Sequence, residues 1–199
     1  MVGTRQFDED ALLEVALRTF WQHGFAATSL IDMAEATGIQ RGSLYNAYGD
    51  KERLFLLAYD RYANGFLDSV RQALSNLDPT LALTALFKGI IASMIEGAPS
   101  RGCLTTKTAL ELPLAGKTIE GRVKQLIEDF TALVRDALST PAARRKLSCD
   151  PGAAADLVVT FTRGLAVMER AFHDSRHLEK MSEQFVRILV PEAKSRRSP

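Results

Sequence analysis

With 199 residues, 46% of them hydrophobic and 25% charged, the chain can bury a real core and is neither disordered nor fibrous in composition. A formal net charge of +1 provides no global basic field, so any binding to nucleic acid must come from local placement of charge. Two cysteines, Cys103 and Cys149, are too few and too far apart for a disulfide framework or a paired-ligand zinc site, and the opening MVGTRQFDEDALLE has no apolar run of signal-peptide length. The expectation is a cytoplasmic chain with reduced thiols and no membrane span.

Apolar spacing is helical almost throughout, and no alternating run rich in β-branched and aromatic residues is long enough for a strand, so the chain reads as all-α. A first helix is expected from Asp8, with Glu9 and Asp10 against its positive end and Leu12, Leu13, Ala16, Leu17, Phe20 and Trp21 as its buried stripe. Gly24 ends it, and Phe25 can tuck back against the core. A second helix starts at Thr28 or Ser29, with Asp32 in a near capping-box position and Leu30, Ile31 and Ala34 turned inward. Gly38 reverses the backbone before a third short helix from about Arg41 to Ala47. Asp50 caps a long fourth helix reaching about Ala73. Later helices are expected near Thr80 to Glu96, Cys103 to Leu112, Thr118 to Ser139, Pro151 to Phe172 and Arg176 to Val190, with Pro113, Pro141 and Pro151 as punctuation.

The order of motifs over residues 8–62 resembles the DNA-binding domain of the TetR (tetracycline repressor) family. The matching pieces are Ala16-Leu17-Arg18-Thr19-Phe20, His23-Gly24-Phe25, Ala27-Thr28-Ser29 leading to Met33-Ala34, Thr37-Gly38-Ile39, Gly42-Ser43-Leu44-Tyr45-Asn46 with Tyr48, and Asp50-Lys51-Glu52-Arg53-Leu54-Phe55. Asn46 stands where the family often has histidine, and Ala47 replaces a residue that is often polar or aromatic. The resemblance implies a helix-turn-helix domain over residues 1–52, joined by a long helix to a ligand-binding and dimerisation domain over residues 53–190, with a flexible tail at 191–199. It also implies a homodimer that binds double-stranded operator DNA, most simply as a repressor released by a small-molecule effector.

A helix entering the major groove needs small residues for close approach and polar side chains at its leading end, which Arg41, Gly42, Ser43 and Asn46 supply. Tyr45 and Tyr48 can bring hydroxyls to phosphates, although Tyr48 also suits the core. Lys51, Thr28 and Ser29 sit at helix N-termini, where free amides already attract an anion. Residues 1–62 carry six Lys/Arg against nine Asp/Glu, so few cations are available and a dimer on an inverted-repeat operator is expected.

Past Arg71 the resemblance is one of architecture, apart from Arg101-Gly102-Cys103-Leu104 and Ala109-Leu110-Glu111-Leu112, which resemble a segment found in one branch of the family. A ligand pocket is expected among Phe87, Ile91, Met94, Cys103, Thr105, Thr106 and Phe130, which mix apolar bulk with hydroxyls. Cys103, next to Arg101 and one turn before Lys107, has the surroundings of a reactive thiol as well as those of a buried inert one, so an electrophile is the alternative effector. Leu157, Phe161, Leu165 and Met168, with Phe185 and Ile188, form the apolar stripes that in the family build an intersubunit four-helix bundle. His173 and His177 have metal-ligand spacing with Glu169, but Asp174-Ser175 should break the helix between them, so no metal is expected. Neither a cofactor fingerprint nor a hydrolase or metalloprotease motif is present, and the chain is not expected to be an enzyme.

Overall fold

The computed structural model describes residues 8–192, and among them all regular structure is helical. In chain order the helices are α1 (Glu9–His23), α2 (Leu30–Thr37), α3 (Arg41–Tyr48), α4 (Lys51–Ala73), α5 (Pro79–Ile95), α6 (Leu104–Leu138), α7 (Pro141–Arg144), α8 (Pro151–Phe172) and α9 (Ser175–Leu189). None is long and apolar enough to cross a membrane. The expected flexible tail lies outside the described residues from 193 onward.

Most boundaries follow from side chains that satisfy free helix-end amides. Asp8, Ser29, Asp78, Asp150 and Asp174 each accept from first-turn amides of α1, α2, α5, α8 and α9, and Pro79 and Pro151 occupy first helical positions, where no N–H is needed. α6 consists of two helical stretches joined at a kink, as expected, but the break is not at Pro113. Pro113 lies inside the helix without ending it, and helical geometry fails three residues later at Gly116, whose φ of 81° is cheap only for glycine. The short α7 was not foreseen either: Thr140 accepts from the Ala143 amide, and Pro141 begins the turn instead of merely interrupting the chain.

The described residues divide into two compact units: 8–66 with 104–126, and 67–103 with 127–192. In the first, Leu12, Ala16, Phe20, Met33, Leu44, Tyr48, Leu54, Phe55, Ala58 and Tyr59 are buried around a Phe20–Phe55–Phe25 cluster, in which both ring pairs to Phe55 have centres 5.0 Å apart. The first part of α6 belongs to this unit and contributes Thr105, Thr108, Ile119 and Val123 to its interior. Thr105 meets the hydroxyls of Tyr62 at 3.1 Å and Tyr59 at 3.5 Å, while Arg122 pairs with Asp60. In the second unit α5 packs with α8 and α9. Phe161 and Phe185 stack there at 4.1 Å, and Phe87 meets both rings edge-on at 5.5 and 5.7 Å.

Candidate nucleic-acid interface

The corner between α1 and α2 is the longest stretch between helices in residues 8–66, and side chains from distant helices fix it. Gly24, at φ 86°, ends α1, and its amide donates to the carbonyl of Phe20. The Thr28 hydroxyl donates back to the Gly24 carbonyl at 2.6 Å. The carboxylate of Glu111 accepts the amides of Phe25 at 2.7 Å and Ala26 at 3.3 Å. Lys107, one turn earlier on α6, donates to the carbonyls of Trp21 at 2.6 Å and Gln22 at 3.0 Å.

From this corner α2 starts with a complete capping box. Ser29 Oγ accepts the amides of Ile31 and Asp32, both at 3.2 Å, and the Asp32 carboxylate accepts the Ser29 amide at 2.7 Å. That amide, then the Ser29 hydroxyl, hold the Asp32 carboxyl below its ordinary pKa, with smaller help from the charges of His23 and Lys51. α2 ends at left-handed Gly38, and α3 begins after Gln40, whose side chain makes no capping hydrogen bond.

α3 has two unlike sides. Leu44 and Tyr48 are fully buried, whereas Arg41, Gly42, Tyr45 and Asn46 are exposed and Ser43 is half-buried. The Arg41 guanidinium lies 5.5 Å from the centre of the Tyr45 ring. A Cβ added at Gly42 would meet nothing within 4 Å, so no neighbour inside the protein requires glycine there. That leaves close approach from outside as a reason for the small residue. At the start of α4 the Asp50 carboxylate accepts the Arg53 amide, and half-buried Lys51 donates to the Phe25 carbonyl.

Of the residues expected at DNA, the structure therefore exposes Ser29, Arg41, Gly42, Tyr45 and Asn46, with Ser43 and Lys51 partly so. Thr28 and Tyr48 are corrected to core positions at 2% and 1% exposure: the Thr28 hydroxyl is turned into the corner, and Tyr48 shares the inner side of α3 with Leu44. Ile31, expected to turn inward, is 49% exposed because Leu30 and Met33 fill the inner side of α2. Gln40 and Arg53, outside the expected set, are also exposed beside the helix starts. Arg61 is engaged by Asp10 and Glu14, and among the described residues Arg18, Arg41 and Arg53 are exposed cations.

The expected ligand set does not fall in one unit. Phe87, Ile91, Met94, Cys103 and Phe130 lie in the second, and Thr105 and Thr106 in the first. Phe87, Ile91, Met94 and Phe130 are buried, Cys103 is partly exposed, and the Thr105 hydroxyl already has tyrosine partners. The cation at the Cys103 sulfur is Arg163, 3.6 Å away, whereas Arg101 turns to Glu96 and Ser93 and Lys107 to the end of α1. Among the expected interface residues Leu157 and Ile188 are 47% and 69% exposed, Phe161, Met168 and Phe185 are half-buried, and Leu165 is fully buried within its own chain. Leu165 is thus a core residue, while Val167 and Phe172, not foreseen, are exposed on α8. His173 adopts a left-handed conformation that ends α8, so it and His177 stand on opposite sides of a helix break. No cluster of metal-ligating side chains occurs among the described residues.

Residues 12–58 match the family model described as bacterial regulatory proteins, tetR family, and residues 79–185, over half of the chain, match that described as tetracyclin repressor-like, C-terminal domain. The HTH-type transcriptional repressor ComR of Escherichia coli K12 is 28% identical over 181 residues, covering 89% of this chain and 85% of ComR. A solved structure of a cysteine mutant of the TetR family transcriptional regulator CifR, complexed with 26-bp double-strand operator DNA, superposes with a TM-score of 0.84 at 25% identity, covering 94% of this chain and 99% of CifR. The reduced form of E. coli NemR superposes with a TM-score of 0.82 at 16% identity, covering 94% of this chain and 98% of NemR, which extends the likeness of fold.

Proposed function

The chain belongs to the TetR family of bacterial transcription regulators, which are DNA-binding proteins and not enzymes, and from that premise we propose that it is a ligand-responsive repressor. In this reading it binds an inverted-repeat operator as a homodimer in the cytoplasm and leaves it when a small molecule or reactive electrophile acts on the helices after residue 53. The observation that carries the reading is the two-sided α3. Its inner side is anchored by Leu44 and Tyr48, and its outer side offers Arg41, Gly42, Ser43, Tyr45 and Asn46. Arg41 and Asn46 have the donors and acceptors that pair with base edges, and Gly42 lets the backbone approach. Ser29, Tyr45 and Lys51 suit phosphates, Ser29 and Lys51 by their places at helix N-termini.

Phe87, Ile91, Met94 and Phe130 supply an apolar lining for an effector in the second unit, with Cys103 as the site for an electrophile. Leu157 and Ile188, joined by Val167 and Phe172, are apolar side chains left exposed on α8 and α9, as a helical dimer interface requires.

Selection of bound fragments from a randomised duplex library tests the reading. A two-fold-symmetric sequence, retained with strongly salt-dependent affinity, is expected. Retention of no duplex at low salt refutes it.

A further inference from the structure

The motif around Glu111 is not used by the DNA-facing residues, and the structure gives it a different task. Lys107 and Glu111 are four residues apart on α6 and so share a face, and they grip the α1–α2 corner with opposite charges. The ammonium covers the Trp21 and Gln22 carbonyls, at the end of α1 where the helix dipole is negative. The carboxylate covers the two amides that follow, those of Phe25 and Ala26. The fit is close: a Cβ built on Gly24 would stand 2.1 Å from Glu111 Oε1, so a side chain there would force the carboxylate to shift. Lys51 holds the Phe25 carbonyl from α4, and that carbonyl also accepts the Thr28 amide at 3.4 Å.

The start of α2 is tied to this corner by the Thr28–Gly24 hydrogen bond, α2 packs on α1, and α3 packs on α2. A change in the grip therefore alters where the reading helix stands without touching any residue that faces DNA. We propose that Lys107 and Glu111 are positioning residues for DNA recognition, which hold the corner in the arrangement from which α3 reads an operator. The proposal rests on the reading that α3 binds DNA. It separates two components of affinity. Phosphate attraction depends on charge and tolerates a displaced helix, whereas base readout requires side chains in register with base edges. Loosening the grip should reduce discrimination more than it reduces general binding.

The test uses the full chain, the tightest duplex recovered from the library, and a scrambled duplex of the same length. Charge-assisted hydrogen bonds are strong enough that Glu111→Ala and Lys107→Met should each lower the ratio of selected to scrambled affinity about tenfold or more. Glu111→Gln, whose single carbonyl oxygen can still accept both amides, should retain most of the ratio. Hydrogen exchange at the Phe25 and Ala26 amides of the unaltered chain should slow when the selected duplex binds, because linkage makes the effect reciprocal. Folded variants that lose affinity equally for both duplexes, or keep the original ratio, overturn the proposal. If the alanine and methionine variants do not fold, exchange in the unaltered chain decides: equal rates with and without duplex overturn it. An unaltered chain that retains no duplex overturns the DNA reading and the role of the grip together, whereas one that discriminates while its variants discriminate equally overturns the grip alone.

Discussion

The ammonium of Lys51 lies 2.8 Å from the carbonyl oxygen of Phe25 and 4.2 Å from the centre of that residue's ring. It thus stabilises the α1–α2 corner while presenting its charge at the start of α4, and its removal has two separable effects. Lys51→Ala should weaken binding to all duplexes, reduce the salt slope by about 1 and, by loosening the corner, lower discrimination across the whole site and not at one base pair. It should also lower stability by roughly 1 kcal/mol through the lost corner contacts. Asn46→Ala should leave the salt slope unchanged and relax the preference at one base pair by about 1–3 kcal/mol, since Asn46 is exposed on α3 and holds no internal element. Affinities across a set of single-base operator variants distinguish the two, and a uniform loss for Asn46→Ala would remove it from base readout.

The capping box makes the reading head sensitive to acid in a defined direction. The pKa of Asp32 lies below its ordinary value of 3.8, chiefly through the Ser29 amide, so its contribution is complete above the unfolded value and disappears as pH falls through the lowered one. Thermal unfolding of Asp32→Asn should show a deficit against the unaltered chain that is constant near neutrality and closes in acid. A deficit that persists unchanged at the lowest pH where the chain still folds would show that the charge of Asp32 is not what matters. Ser29→Ala should cost about 1 kcal/mol near neutrality by removing the cap itself.

The capping box was legible because its signal is local: Ser29 and Asp32 are three residues apart, and the pattern carries its own chemistry. So was the polar side of α3, where Arg41, Gly42 and Asn46 were expected and are exposed. What escaped the sequence depends on elements far apart in the chain. Nothing near Thr28 announces that its hydroxyl turns into the corner, and nothing near Glu111 announces a partner 86 residues away. Pro113 misplaced the break for a related reason, since a proline's missing donor and ring bulk predict it there, yet helical geometry persists to a kink at Gly116. Leu165 and Ile188 have the same hydrophobicity signature, and only packing separates the buried one from the exposed one.

If an electrophile acts through Cys103, its effect should require that sulfur alone. Treatment of the operator complex with N-ethylmaleimide should release DNA from the unaltered chain and from Cys149→Ser, and fail to release it from Cys103→Ser, whose operator affinity should be unchanged before treatment. Both cysteines are partly exposed, so mass spectrometry must first establish that each is modified. Normal release from Cys103→Ser would eliminate the thiol route and leave reversible ligand binding near Phe87 and Phe130 as the remaining one.

Leu165 and Ile188 allow a test of the dimer that separates it from folding. Leu165 is at 0% exposure within its own chain, so Leu165→Ala should lower the unfolding free energy by about 2–5 kcal/mol through lost burial and a residual cavity, whatever the oligomeric state. Ile188 is 69% exposed on α9, and within one chain a charged residue there should be tolerated with little change in the fold. If α8 and α9 form the dimer face, Ile188→Glu brings a carboxylate into an apolar contact from both subunits, because a two-fold interface presents the same patch twice. Sedimentation at micromolar concentration should then show a dimer for the unaltered chain and a shift towards monomer for Ile188→Glu, with helical content by circular dichroism preserved. Operator affinity should fall with dissociation, since two half-sites must be engaged together, and should recover as protein concentration rises. An Ile188→Glu chain that remains dimeric and binds operator normally would exclude Ile188 from the interface.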